Sequence, residues 1–266
     1  MLLIKIGGGK NIDWDNIAKD IADVTKKEKI ILVHGASAIR DEIAKKLSSP
    51  TKIITSPSGI TSVYTDQKAL DVFLMVYAGL VNKKIVANLH KHGVNAVGLS
   101  GIDGKLWQAK WKKETYSQVN GKTKLISDNL TGRVEKVNTE LIDLLLKNNY
   151  LPVICPPAIS FENQIVNTDN DWAISIMASA LKIEKIIVLF EAPGLLKNIH
   201  DQTSVIKKIR KEDLDDFMKF AQGRMKKKIL GAKKAFELGL REMYWGDARI
   251  KQPITRVLEG NGTIIS

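Results

Sequence analysis

Along the chain, apolar runs of strand length alternate with stretches in which apolar residues return every three or four positions. "LLIKI" (2–6) precedes a helical pattern over 15–27, and "KIILVHG" (29–35) precedes another over 38–47. Further on come "VNAVGLSG" (94–101), a helical stretch over 138–148, "LPVICPP" (151–157), a helical stretch over 170–181 and "KIIVLFE" (185–191). Runs that are apolar on both faces and separated by helices predict a mostly parallel sheet covered on both sides. The fold class expected is therefore α/β, a three-layer αβα sandwich around an open sheet. Between 104 and 135 the rhythm changes to polar alternation around "WQAKWKK" and "YSQVNGKTKLIS". There the Asn120-Gly121 pair is a strong two-residue turn signal, and the segment predicts a β-hairpin projecting from the sandwich.

Some polar residues interrupt this pattern. Lys5 stands one residue before the end of an apparently buried strand, and three glycines follow it. Gly7 to Gly9 and Gly35 both follow strands directly, and ligands of open α/β sheets gather outside the carboxyl ends of strands, so these turns are expected to line one site. "GGGKN" has the spacing of neither G-x-x-x-x-G-K-[ST] nor G-x-G-x-x-G, and taken alone it is a tight turn in which glycine supplies positive φ. In "NTDND", Asn167, Asp169 and Asp171 precede a periodic helix, and one of the two acids must cap it. In "GRMKKK", Lys226, Lys227 and Lys228 open an amphipathic helix, at the end where the dipole disfavours cations and where an anion would be held. Glycine cradle, cations and carboxylates are together the parts that phosphoryl transfer needs.

Charge adds a second theme. The 266 residues carry 41 basic and 29 acidic side chains, a formal net charge of +12, which favours acidic partners. Eight basic and three acidic residues lie between Lys105 and Lys136, and six basic residues with no acid lie between Arg224 and Lys234. Trp107, Trp111 and Tyr116 interleave with these lysines as a base-stacking surface would, although alternation in a hairpin is explained more simply by cross-strand packing. A basic binding module without catalysis is the rival of a different class. Cys155 is the one cysteine and forms no internal disulfide. No stretch reads as a signal peptide or a membrane span, so the expected location is the cytoplasm.

"KIGGG", "VHGAS", "GLSGIDG", "NTDND", "LFEAPGLLKN" and "GRMKKK" occur in an order and spacing that resembles the amino acid kinase family. Within it, the likeness is strongest to acetylglutamate kinases, especially the branch acting on 2-aminoadipate or glutamate attached to an acidic amino-group carrier protein of LysW type, in lysine and arginine synthesis. The resemblance implies ATP and Mg2+, an acceptor lobe over 1–170, an ATP-binding lobe over 171–266, and a homodimer. Nucleic acid and membrane are not among the partners it implies. It gives Lys5 and Lys228 the role of stabilising the transferring phosphoryl group, with Asp171 holding both. Asn167, Gly35, Ala36, Ser62 and Val63 fall on the substrate side, and Gly7, Gly8 and Ser37 on the phosphate side, with Gly8, Gly35 and Ala36 as backbone donors. Glu191, Gly194, Leu195 and Met225 match nucleotide-binding positions. The chain also departs from the pattern. Ala36 and Ser37 replace two of three glycines, Val63 stands where relatives commonly carry a carboxylate-gripping arginine, Arg224 replaces a second glycine, and Glu191 replaces aspartate. A missing arginine suits an acceptor whose amino group is tethered to a protein tail. The nearer rival is an acetylglutamate kinase acting on the free N-acetyl-L-glutamate.

Overall fold

The computed structural model describes residues 1–119 and 122–266. An eleven-stranded sheet runs through the molecule. At its centre Ile30–His34, Leu2–Ile6, Lys185–Phe190 and Glu242–Asp247 lie side by side and parallel, each too apolar to face water on either side. Leu151–Ser160 continues the sheet beyond Ile30–His34 and is ten residues long. Its first half pairs with Ala96–Gly101, and from Ala158 onward it pairs instead with Ile165–Thr168 and Trp107–Trp111. The exchange falls at Pro156 and Pro157, which have no N–H to give to a ladder. Thr131–Val137 pairs with both Trp107–Trp111 and Ile165–Thr168, so this end of the sheet closes into a small ring.

Strand alternation sorts side chains into two cores, one on each face. Leu3 joins the core under helices Thr139–Lys147, Asn170–Ala180 and Arg224–Glu237. Leu2, Ile4 and Ile6 join the core under Trp14–Val24, Ser37–Lys46, Pro253–Leu258 and a long helical stretch. That stretch is Gln67–Phe73, a π-helical segment Leu74–Val81, and Asn82–Lys91 without a break. The expected three-layer sandwich is present. The projecting hairpin is shorter than the 104–135 that alternation suggested. It consists of Thr115–Val119 paired with Lys122–Ile126, while Trp107–Trp111 and Thr131–Val137 belong to the main sheet. The reason is burial: Trp107, Ala109 and Val134 point inward and are almost wholly covered. The turn at Asn120-Gly121 lies outside the described residues. A second small hairpin, Lys52–Thr55 with Thr61–Tyr64, stands apart from the main sheet.

Candidate active site

The alternation that sends Leu3 toward the first core sends Lys5 the same way, to where helices Asn170–Ala180 and Arg224–Glu237 meet. Lys5 Nζ donates to Asp171 Oδ1 at 2.9 Å, and Lys228 Nζ donates to Oδ2 and Oδ1 of the same carboxylate at 3.1 and 3.3 Å. Asp171 occupies the first turn of its helix, and the N-cap is Asp169, whose Oδ1 accepts from the backbone N–H groups of Asp171 and Trp172. The capping duty thus falls to Asp169 and leaves Asp171 to the lysines. The two helices approach closely because residue 231 is glycine: a Cβ there would sit 2.8 Å from the Asp171 carbonyl oxygen. Ser175 Oγ lies 2.9 Å from that carbonyl and 2.8 Å from the carbonyl of Gly231, so its one O–H is shared between the two helices.

The electrostatics of the trio are those of a dry cationic site. Burial pushes the Asp171 carboxyl up, but the charges of Lys228 and Lys5 outweigh it and hold the group ionised, far below the usual carboxylate range. Burial also acts on Lys5, and there the attraction of Asp171 prevails and its pKa is raised. For Lys228 burial prevails, with the like charge of Lys5 adding to it, and its pKa is lowered to about 8. Two ammonium groups share one carboxylate, so a net positive charge remains at the ends of the central strands. Lys228 Nζ also stands 5.3 Å over the Phe190 ring, a wall that keeps water from it.

Beside this charge lies the glycine cradle. A Cβ on Gly8 would overlap the backbone nitrogens of Ala36 and Ser37, so the two strand-to-helix turns touch through this one residue. Gly8 O accepts from Ala38 N at 2.8 Å and from Ser37 Oγ at 2.9 Å. Helix Ser37–Lys46 starts here with no side chain capping it, and of its first N–H groups that of Ala38 is taken by Gly8. The resemblance assigned donor roles more widely than the geometry allows. The Gly35 N–H is engaged by the Ile6 carbonyl at 2.9 Å, and the Gly7 N–H by Leu189 at 2.8 Å, both as extensions of the sheet ladder. Gly8, Ala36 and Ser37 are left as the backbone donors of the cradle.

At Asn167, which the resemblance assigns to the acceptor, Nδ2 donates to Thr65 Oγ1 at 3.1 Å, and the Thr65 N–H is held by Asn129 Oδ1 at 3.0 Å. Neither Thr65 nor Asn129 stands out in the sequence, because both are single polar residues in segments without periodicity. Ser62 and Val63 lie on Thr61–Tyr64, and the Val63 side chain packs against the second core. Next to this strand opens a cleft of about 940 Å³, lined by Tyr64, Asp66, Gln67, Trp111, Asp128 and Leu130 among others. Lys227 Nζ reaches Asp169 Oδ2 at 3.5 Å. Burial lowers the pKa of Lys112, and the like charges of Arg133 and Lys227 lower it further. Positive charge therefore continues from the Lys5–Lys228 pair toward Trp107–Trp111 and the projecting hairpin.

The positions matched to nucleotide binding are less unified. Glu191 directly follows the strand Lys185–Phe190, accepts from the Asn11 N–H at 2.7 Å and packs so tightly on Gly9 that a Cβ there would overlap its carboxylate. Gly194 lies against Thr263, whose hydroxyl takes the N–H of Leu195. Leu195 is buried in the first core, and Met225 packs on that core from outside. Among the described residues no group of three or more His, Cys, Asp or Glu could hold a metal by itself. Asp169 and Glu191 are single carboxylates beside the lysines and the cradle, a donor set of the kind that holds Mg2+ when waters and substrate phosphates complete it.

The family model described as the amino acid kinase family matches residues 1–244. A [LysW]-aminoadipate kinase of Deinococcus radiodurans is 46% identical over 267 residues, spanning 100% of this chain and 91% of the relative. A [LysW]-aminoadipate kinase of Thermus thermophilus is 42% identical over 268 residues, covering 100% of both. Among solved structures, smu.665 from Streptococcus mutans UA159 superposes with a TM-score of 0.77 at 21% identity, over 100% of this chain and 98% of that one. Similarity along the full length, a matching family model and a shared fold thus agree with the motifs and the sheet topology, and the chain belongs to the amino acid kinase family.

Proposed function

We propose that this protein uses ATP to phosphorylate the side-chain carboxylate of 2-aminoadipate, or of glutamate, carried through its amino group on an acidic carrier protein of LysW type. The observation that carries the reading is the Lys5–Asp171–Lys228 constellation beside the Gly8–Ala36–Ser37 cradle. It is a preorganised cationic anion site, and phosphoryl transfer asks the protein for little else. Residues 1–170 would hold the acceptor and 171–266 the nucleotide. An acceptor carboxylate oxygen attacks the γ-phosphorus in line as the bond to the bridging oxygen breaks, giving an acyl phosphate and ADP with no proton transferred. Lys5 and Lys228 neutralise the charge on the transferring group, and Asp171 keeps both ammonium groups aimed. Mg2+ bound to the triphosphate would neutralise charge as ADP leaves, with Glu191 and Asp169 the nearby acids.

The tethered acceptor is supported by the names of the relatives, by the apolar Val63 packing against the core where an arginine would grip a free carboxylate, and by a cleft roomy enough for a protein tail. The test is a hydroxylamine trap for acyl phosphate, run with carrier-bound aminoadipate, carrier-bound glutamate and free N-acetylglutamate. Hydroxamate is expected with a carrier-bound acceptor. Equal or greater yield from the free compound would overturn the tether, and no hydroxamate with any acceptor would overturn the kinase. The reading also includes a homodimer, which light scattering on the purified protein checks.

A further inference from the structure

Helix Arg224–Glu237 begins with an arginine whose side chain does not stay with its own helix. Arg224 Nη1 donates to Ser37 Oγ at 2.7 Å, and Ser37 Oγ in turn donates to the carbonyl of Gly8 at 2.9 Å. A side chain from the expected nucleotide half therefore reaches across the cleft to the rim of the cradle. Among the described residues this is the one hydrogen bond the guanidinium makes, although it carries five N–H donors in a planar fork. The helix gains nothing by having a cation in its first turn, where the backbone dipole opposes it. Gly223 before it has a φ of +51°, a left-handed conformation that glycine adopts freely.

Charge arithmetic points the same way. Lys5 and Lys228 against Asp171 leave one net positive charge beside a terminal phosphate that carries about two negative ones, and with Mg2+ on the triphosphate offsetting part of these the site still accommodates one further cation from the protein. Of the nearby acids, Asp169 is paired with Lys227 and capping its helix, and Glu191 is turned onto Gly9 and Asn11. We infer that Arg224 is a third phosphate-facing cation of this site, a residue that binds the terminal phosphate of the nucleoside triphosphate and closes the two halves over it. Ser37 is where the guanidinium rests, within reach of the N–H groups of Ala36 and Ser37 that the phosphate would face. The inference rests on the kinase reading, since it presupposes a triphosphate in the cradle.

The experiment is direct binding, by calorimetry, of a non-hydrolysable ATP analogue and of ADP, each with Mg2+, to the full chain and to Arg224→Ala and Arg224→Lys. Arg224→Ala is expected to weaken the analogue at least about tenfold and ADP less than about threefold. Arg224→Lys keeps the charge but loses the fork, and its loss of analogue affinity should fall between the two. Arg224 is exposed, so the variants should melt with the wild type, and a melting scan confirms it. Equal losses for analogue and ADP, or no loss for either, would overturn the inference while leaving the kinase reading intact. Wild-type protein that binds neither nucleotide would sink both.

Discussion

At the scale of single residues, the site depends on three charges held out of water. Lys5→Ala and Lys228→Ala should each lower kcat by about 100-fold or more, the usual effect of removing one preorganised donor to a developing charge, with the fold intact. Asp171→Asn should cost about as much while leaving ATP affinity largely unchanged, because the Asp171 carboxylate is engaged by Lys5 and Lys228 and its proposed role is to aim them. Steady-state kinetics alongside ATP titration separates the two effects, and a variant that loses affinity but keeps its maximal rate would contradict that role. The pH dependence follows from Lys228. Its pKa is lowered to about 8, so the free enzyme carries the needed ammonium below that pH and loses it as pH rises through it. kcat/KM for ATP should therefore decline above about 8, and in Lys228→Arg the alkaline fall should vanish at a reduced plateau. These residues were legible in the sequence because a lysine inside an apolar strand, or a run of lysines at a helix N-terminus, contradicts its local surroundings. Thr65 and Asn129 contradict nothing locally, and the loss of Gly35 as a donor depends on strand pairing that no motif reports.

At the scale of elements, the stretch from 67 to 91 shows what patterning does and does not reveal. Phe73, Tyr77, Val81, Ile85 and Leu89 are buried at successive spacings of four. In an α-helix of 3.6 residues per turn, such a series drifts steadily around the axis and leaves the core. The wider turns of the π segment Leu74–Val81 absorb the drift, so the same face stays on the sheet. Asn82 follows directly, and its Nδ2 donates to the Val153 carbonyl at 2.9 Å and meets His34 Nε2 at 3.1 Å. Burial lowers the His34 pKa to about 4, which leaves the ring neutral near neutral pH, and with Nδ1 facing the Gly35 carbonyl at 3.3 Å the proton belongs there and Nε2 is the acceptor. One side chain thus ties the helix to two central strands just below the Gly35 turn. Asn82→Ala should cost about 2 kcal/mol of stability, because it leaves two buried acceptors unpaired, and urea unfolding should show a lower midpoint at an unchanged slope. Apolar periodicity indicated the parallel strands and most helices, because burial dictates both. It overextended the hairpin, since alternation is the same for a strand in the main sheet and one projecting from it, and burial alone tells them apart.

At the scale of the whole molecule, charge is the feature that sequence foretold in amount but not in place. The eight basic residues between Lys105 and Lys136 do not form one projecting patch. Lys122 and Lys124 sit on the hairpin strand Lys122–Ile126, whereas Lys110 lies in the main sheet opposite Arg133, Lys112 lies near Arg133 and Lys227, and Lys113 faces Glu162. If the acceptor arrives on an acidic carrier, this belt steers it, and the residues nearest the site should matter most, since complementary potential raises association rates at short range. Replacing Lys110, Lys112 and Lys113 with Glu should raise KM for the carrier-bound acceptor at least about tenfold while KM for ATP stays within about twofold. Replacing Lys122 and Lys124 with Glu should have a smaller effect in the same direction. For the wild type, carrier KM should climb as ionic strength rises from about 0.01 M to about 0.15 M, where the Debye length falls from about 30 Å to about 8 Å. In the triple variant most of that climb should be gone, because the charges that salt would screen have been reversed. A solvated surface with no acidic partner gives small and equal changes for both substrates at both salt concentrations. Steady-state kinetics on the three proteins at the two salt concentrations decides between them, and an unchanged carrier KM in the triple variant would leave the belt without the steering role and favour the free-substrate kinase.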